Sequence, residues 1–362
     1  VNKPKKILIS PLDWGLGHAT RCIPLISEFL SLGVQVIVAG TASTNKLIQE
    51  IFPELTYVEI NGYNITYSAS KWKLPFVIIG QLPKINRAIK EEHRLLMQIV
   101  KQHNIDLIIS DNRYGFYHPS IRSIFITHQL QIQVPQSRFV EKMIAWINHT
   151  FIKKFNACWV VDYPQGQLAG ALSLPSRRLE VKYLGILSRL KKESIGPKES
   201  YKPDILVLLS GPEPQRSILE DKLTSLFLAH TKYHVLIVRG MPHQGNKLET
   251  LSATLNQVGH LGAYDIAYYI QHSELVICRS GYSTLMDLLK LRKTALLIPT
   301  PGQTEQEYLA KQLAKKRWFA MLRQEEITWE AISQTIDSCS HFTLPDFDTE
   351  YYKEVLKDEV LR

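Results

Sequence analysis

The stretch Glu274-Leu275-Val276-Ile277-Cys278-Arg279-Ser280-Gly281-Tyr282-Ser283-Thr284-Leu285-Met286-Asp287 decides the fold. Its first five residues read as a buried strand, short and apolar in its body. Ser280-Gly281 makes a tight turn, and Tyr282 opens a helix with an acid, Asp287, in its second turn. The N–H groups of such a first helical turn lack partners within the helix and form a site for an anion. Ser280, Gly281 and the N–H groups that follow, at Ser283 and Thr284, can therefore cradle a diphosphate, while Asp287 can accept from the vicinal hydroxyls of a ribose. Downstream, Lys293–Pro299 reads as the next strand. The run Thr300-Pro301-Gly302-Gln303-Thr304-Glu305-Gln306-Glu307 then offers adjacent amide and carboxylate groups suited to sugar hydroxyls.

The same strand–turn–helix rhythm extends in both directions. Strands are expected at Lys6–Ser10, Gln35–Ala39, Thr56–Ile60, Asp106–Ser110, Ser123–Thr127 and Ala157–Val161, with helical segments at His18–Ser31, Lys84–His103 and Arg138–Phe155. Leu190–Pro203 (LKKESIGPKESYKP) is charged and punctuated by Gly and Pro, the composition of a linker. The rhythm restarts at Asp204–Ser210 and continues through Tyr233–Arg239, Glu274–Cys278 and Thr294–Pro299. Alternating β and α segments imply parallel sheets covered by helices. The expected division is a Rossmann-like domain over 1–185, a linker over 186–203, a second Rossmann-like domain over 204–345 and a tail helix over 346–362. The two domains are expected to face each other across a cleft, with ligands beyond the carboxyl ends of the strands.

Composition narrows the class. The 362 residues are 45% hydrophobic and 21% charged, which excludes a disordered or fibrous chain. No apolar run approaches the roughly 18 residues of a spanning helix, and Val1-Asn2-Lys3-Pro4-Lys5-Lys6 leads into a strand and not a signal-peptide core. Cys22, Cys158, Cys278 and Cys339 lie far apart, which argues against a disulfide framework or zinc knuckle and fits a reducing cytoplasm. The net charge of +9 is unevenly spread: residues 1–185 carry 21 Lys+Arg against 12 Asp+Glu, and residues 204–362 carry 17 against 20. Either the first domain meets an anionic partner, or its basic surface is simply solvated. Nucleic acid is disfavoured, because no recognition motif and no aromatic–basic stacking strip is present.

The first strand ends in Ser10-Pro11-Leu12-Asp13-Trp14-Gly15-Leu16-Gly17-His18-Ala19-Thr20-Arg21. Gly15 and Gly17 turn the backbone, and the helix after them presents its first N–H groups as a phosphate or acceptor loop with Arg21 nearby. This is not the spaced GxGxxG of a dinucleotide site, and Val38-Ala39-Gly40-Thr41 supplies no acid at the end of the second strand. Two readings stand for His18, a structural histidine or a general base. The base needs a carboxylate to hold its tautomer, and Asp111, just after the strand through Ser110, is the candidate. Asp111 can equally be a turn or cap residue.

On Cys278–Asp287 and Pro299–Glu307 the chain resembles GT-B glycosyltransferases, most of all the family 28 group that includes the MurG-type N-acetylglucosaminyltransferases. The resemblance follows the order of elements along nearly the whole chain. It implies a GT-B fold in which the C-terminal domain holds a UDP-sugar and the N-terminal domain receives the acceptor. Carried over, Asp287 binds the ribose hydroxyls, Gln306 and Glu307 meet the donor sugar, backbone near Ala263 reads the uracil edge, and His18 lines the acceptor side. Ser210-Gly211-Pro212 corresponds to the glycine-rich loop near the phosphates. That loop departs from the family in having one glycine and two prolines, which remove N–H donors and shift the expected phosphate contact to Arg216. Gln306-Glu307 replaces a pair of glutamines, and Trp14 stands where a glycine is usual. These departures point to a relative with a different acceptor.

The implied chemistry is inverting transfer of a sugar, N-acetylhexosamine by analogy, from UDP to an acceptor hydroxyl. A base removes the hydroxyl proton, and helix N-termini with Arg279 or Arg216 stabilise the leaving diphosphate. No metal or other cofactor is then required, the UDP-sugar being a substrate. Asp346-Phe347-Asp348 is a DxD, but no strand precedes it. Trp72–Leu82 and Arg138–Phe155 are amphipathic; in the second, Phe139, Met143, Trp146, Ile147 and Phe151 recur at helical spacing beside Lys142, Lys153 and Lys154. Such a stripe packs into a core or lies on anionic lipid, and the lipid reading makes the acceptor lipid-linked and the protein peripheral at the inner face of the membrane. Gly15–Cys22 also resembles the motif of UDP-sugar hydrolases of the pseudaminic acid pathway, although their acceptor domain is shorter. A UDP-sugar 2-epimerase is a further alternative within the same fold.

Overall fold

A computed structural model describes residues 5–13, 15–62, 74–132, 138–176, 179–191 and 202–361. The chain forms two units, Val1–Ser188 with Asp348–Arg362, and Arg189–Phe347. The first contains β1 (Lys6–Pro11), α1 (Gly17–Ser31), β2 (Gln35–Gly40), α2 (Ala42–Gln49), β3 (Thr56–Glu59), α3 (Leu74–His103), β4 (Leu107–Asp111), β5 (Arg122–Thr127), α4 (Arg138–Ile152), β6 (Ala157–Val160) and β7 (Val181–Tyr183). The second contains β8 (Ile205–Leu208), α5 (Gln215–Ala229), β9 (Val235–Val238), β10 (Leu248–Thr250), β11 (Leu255–Val258), α6 (Ala263–His272), β12 (Leu275–Cys278), α7 (Tyr282–Lys290), β13 (Leu296–Leu297), α8 (Thr304–Lys315), β14 (Ala320–Met321) and α9 (Trp329–Cys339). The closing helix α10 (Tyr351–Leu361) belongs to the first unit.

Each unit is built on one sheet. In the first, all strands are parallel in the order β3-β2-β1-β4-β5-β6-β7. Ile7, Leu8 and Ile9 are fully buried, as are Ile108, Ile109 and Ile124–Ile126, because helices cover both faces. The second sheet runs β10-β11-β9-β8-β12-β13-β14, parallel except for the antiparallel edge strand β10. In both sheets the chain starts at an inner strand, fills one side and then returns to fill the other. The strand order therefore reverses between β1 and β4 in one unit and between β8 and β12 in the other, and ligands of doubly wound sheets bind at such a reversal.

The tail is not an independent appendage. Glu359 on α10 is buried and pairs with the Arg122 guanidinium at the start of β5, and the Tyr163 hydroxyl donates to the Asp348 carbonyl at 2.6 Å. Leu356 on the same helix is fully buried. The expected linker splits as well: Ile186, Leu187 and Leu190 are buried and its residues 192–201 lie outside the described ones.

Candidate active site

At the reversal of the N-terminal sheet, β1 and β4 lie side by side with Ser10 opposite Ser110 and Pro11 opposite Asp111. Asp111 ends β4 and is fully buried; Asn112 follows with φ +60°, in a left-handed conformation that an asparagine tolerates. From β1 the chain turns through Gly15, whose φ of +80° lies in the same region, and enters α1 without a side-chain cap. Gly17 begins α1, which places His18 and Arg21 three residues apart on one helical face, toward Asp111. Trp14 and the Trp72-Lys73 start of the first amphipathic stretch lie outside the described residues, as do the side chains from Leu74 to Leu82.

Asp111 is the centre of a buried cluster. Arg21 Nε donates to its Oδ2 at 2.7 Å and Arg21 Nη2 to its Oδ1, a two-toothed ion pair. His18 Nδ1 lies 3.2 Å from Asp111 Oδ1 and 2.8 Å from Arg21 Nη2. Arg21 Nη1 reaches His128 Nδ1 at 3.0 Å, and the Cys22 thiol approaches Asp111 Oδ2 at 3.7 Å. Burial pushes the Asp111 carboxyl up, but Arg21 and His18 outweigh it and hold the group well below the usual carboxylate range. His18 moves the other way: burial, then the Arg21 charge, lower its pKa, and Asp111 only partly offsets them. The imidazole is therefore neutral at pH 7. Burial, then Asp111, push the Cys22 thiol well above its ordinary value, so it is inert.

This arrangement joins His18 to Asp111, as their positions after adjacent strands implied, and corrects the reading of Arg21. Arg21 is buried and spends its guanidinium on Asp111 and His128, not on a phosphate. His128 was missed, although it directly follows β5 and so falls on the same sheet edge. A second buried pair underlies the loop: the fully buried Arg113 donates to Glu92 Oε1 at 2.5 Å and to the Pro11 carbonyl at 2.8 Å, fixing α3 and the end of β1.

In the C-terminal unit the loops after β8, β12 and β13 converge at the reversal. Ser280 is fully buried, and its hydroxyl donates to the Gln306 carbonyl at 2.9 Å, tying the β12 turn to α8. A Cβ at Gly211, where φ is +103°, would lie 3.9 Å from Thr300 Oγ1, so the β8 and β13 loops are neighbours. Gly281 precedes α7 with only Thr284 Oγ1, at 3.8 Å, near its missing Cβ. Ser283, Thr284 and Asp287 form one half-buried stripe of α7, while Leu285, Met286 and Leu289 face the core. Ala263 is the first residue of α6, after β11. Ser210 and Gly211 are exposed.

Three expectations for this half change. Arg216 is buried and committed to Glu213 at 2.6 Å and to Glu220, so it is not a free phosphate contact. Arg279 is also turned inward. Its Nη2 donates to the Gln215 carbonyl at 2.6 Å and Gln324 Oε1 at 2.7 Å, and its Nη1 to the Ile298 and Pro299 carbonyls at 3.2 and 3.3 Å. It has no carboxylate partner among the described residues, and burial lowers it to about 10, so it stays charged at pH 7. Gln306 and Glu307 fold back on their own loop: Gln306 Oε1 accepts from the Thr300 N–H and Glu307 Oε1 from the Gly302 N–H, both at 2.9 Å. Two buried polar atoms here, Arg279 Nε and Thr300 Oγ1, have no hydrogen-bond partner among the described residues.

Elsewhere, Trp146 on α4 is 69% exposed, Lys142, Lys153 and Lys154 are exposed, and Asn148 and Ile152 turn to the core. Among the described residues no helix is long and apolar enough to cross a membrane. In the DxD, Asp346 pairs with Arg292 at 2.9 Å and Asp348 Oδ1 accepts from the Glu350 N–H at 3.0 Å; no group of three potential metal ligands occurs among the described residues.

Residues 207–350 match the glycosyltransferase family 28 C-terminal domain. An uncharacterized glycosyltransferase of Methanosarcina acetivorans is 24% identical, the match covering 99% of this chain and 91% of the relative. A UDP-N-acetylglucosamine--N-acetylmuramyl-(pentapeptide) pyrophosphoryl-undecaprenol N-acetylglucosamine transferase of Prochlorococcus marinus is 29% identical over 38% of each chain. The crystal structure of the glycotransferase of kitacinnamycin superposes with a TM-score of 0.67 at 13% identity, covering 100% of this chain and 96% of that one. With two doubly wound sheets, a match to the glycosyltransferase family 28 C-terminal domain on the second and a whole-length likeness to glycosyltransferases, the chain is a glycosyltransferase of the GT-B fold.

Proposed function

We propose that the protein transfers an N-acetylhexosamine from a UDP-sugar to an acceptor hydroxyl with inversion at the anomeric carbon. The observation that carries this reading is the reversal of the C-terminal sheet. There the starts of α5, α7 and α8 meet around an exposed glycine loop, two orphaned buried polar atoms and a half-buried Ser283–Thr284–Asp287 stripe. Helix N-termini suit a diphosphate, and Asp287 suits the ribose diol. Arg279, buried without a carboxylate, supplies positive charge to the leaving diphosphate through its field, not by contact. Gln306 and Glu307 shape the loop that meets the sugar. The relative named for UDP-N-acetylglucosamine transfer supports that donor.

In the N-terminal unit His18 acts as the base for the acceptor hydroxyl. The active form carries the proton on Nδ1, directed at Asp111, and presents the Nε2 lone pair. The leaving group needs no metal on this account. The exposed Trp146 beside Lys142, Lys153 and Lys154 supports a cytoplasmic enzyme held at anionic lipid, with a lipid-linked acceptor. The test is UDP release from a panel of UDP-sugars with and without candidate lipid-linked acceptors. Release that depends on an acceptor and yields an inverted product is expected. Equal release in water alone would make the protein a hydrolase instead.

A further inference from the structure

The contacts of Arg21 carry more than the neutralisation of Asp111. A guanidinium has five N–H groups and no lone pair, so every hydrogen bond it makes is a donation. Arg21 uses Nε–H and one Nη2–H on Asp111. The second Nη2–H is then available to the nitrogen at 2.8 Å, His18 Nδ1, and an Nη1–H to His128 Nδ1 at 3.0 Å. To receive these bonds, both rings must present a lone pair at Nδ1 and carry their proton on Nε2. A proton on His18 Nδ1 would instead meet the Nη2 group head-on at 2.8 Å, while its own acceptor, Asp111 Oδ1, is farther off at 3.2 Å and already takes an Nη2–H.

We propose that Arg21 is a positioning residue for glycosyl transfer: through Nη2 it selects which nitrogen of His18 bears the proton. In the resting protein it holds His18 as an Nε2–H donor. The base form is reached when Nδ1 passes from Arg21 to Asp111, two partners 2.8 and 3.2 Å from the same atom. A proton from water is taken at Nδ1 and the Nε2 proton is given to water, so the ring is neutral before and after the exchange. Arg21 also opposes the imidazolium, in which an Nδ1–H would face its charge. The charged and titratable groups around His18 are Arg21 on its own helix, Asp111 from β4 and His128 from the end of β5. Arg21 and His128 disfavour its protonation and Asp111 favours it.

The inference uses the reading of His18 as the base, but its first test does not depend on activity. Nitrogen-15 spectra of the full-length protein at pH 8 distinguish Nδ1-protonated from Nε2-protonated neutral imidazole, with His18 assigned by its loss in His18→Gln. The expected result is an Nε2–H ring in the parent and a shift toward Nδ1–H in Arg21→Gln and Arg21→Met. An Nδ1–H ring in the parent, or no change in a folded variant, overturns the proposal. Arg21→Lys guards against variants that fail to fold, because it keeps the charge but loses the two-toothed pair and the fixed Nη2; it too is expected to populate Nδ1–H, and an unchanged tautomer counts against the role. In the second readout, the acid limb of kcat/KM is expected to move up by one pH unit or more in Arg21→Gln. On the acid side of both limbs that is a roughly tenfold loss relative to the parent, with none on the alkaline side, which general loosening of the fold would not produce. An unmoved limb overturns the proposal.

Discussion

Asp111→Asn should be among the most damaging single-atom exchanges in the N-terminal unit, and the structure gives its size. The parent carboxylate is fully buried and takes two N–H groups of a buried guanidinium as well as the approach of His18. Hydrogen bonds to charged groups contribute about 1.5–3 kcal/mol each. Asparagine keeps one acceptor oxygen but sets an NH2 group against the remaining Arg21 donor, so a buried cation is left without its counter-charge. Breaking one partner of a buried pair costs about 3–5 kcal/mol, and that is the predicted loss. Urea denaturation, followed by a probe in the unit that holds Asp111, measures it. The pH dependence has a definite sign. The folded carboxyl is held below its unfolded value, so its contribution is complete above about pH 4 and disappears progressively on acidification. The gap between parent and variant should therefore narrow below pH 4. The double replacement Asp111→Leu with Arg21→Met removes both charges and should recover most of the stability, because two apolar groups leave nothing unpaired. A single variant within about 1 kcal/mol of the parent at pH 7, well under the cost of breaking a buried pair, would refute the reasoning.

Two further outcomes follow from other contacts. Ser280→Ala removes the hydroxyl that donates to the Gln306 carbonyl at 2.9 Å. It should cost about 1–2 kcal/mol in thermal unfolding and raise KM for the donor, because α8 loses its tie to the β12 turn. Replacing Lys142, Lys153 and Lys154 by Gln should release the protein from anionic vesicles in a flotation assay. At about 1 kcal/mol for each lysine near the surface, the three together amount to roughly a hundredfold in affinity, and unchanged flotation would dismiss the lipid reading.

The strands were legible because burial on both faces writes itself as a short apolar run: LVIC, ILVL and KILISP need no tertiary information. The strand Leu255–Val258 escaped because Asn256 and Gln257 interrupt its apolar character, and β14, two residues long, is too short to pattern, whereas β13 lies within the expected Thr294–Pro299. The turns at Gly15 and Gly211 could be read as turns because few other residues adopt φ of +80° and +103°. The cations could not be read correctly in the same way. Arg21, Arg216 and Arg279 look like free phosphate ligands in a linear sequence, yet all three are buried, Arg21 and Arg216 on carboxylates and Arg279 on carbonyls and an amide of their own unit. For Arg216 the signal was present, since Glu220 stands one helical turn away. For Arg21 it was not, because Asp111 and His128 reach it only through the pairing of β1, β4 and β5.

The central claim is that the reversal of the C-terminal sheet holds a nucleotide sugar through the α7 start and Asp287. Isothermal titration of UDP-N-acetylglucosamine into the full chain and into Asp287→Ala tests it most directly. The account predicts one site per chain in the parent and a roughly ten- to hundredfold weaker site in the variant, the value of a charged hydrogen-bond acceptor. Absence of binding to the parent by this or any other nucleotide sugar, or equal affinity in the two proteins, would contradict it.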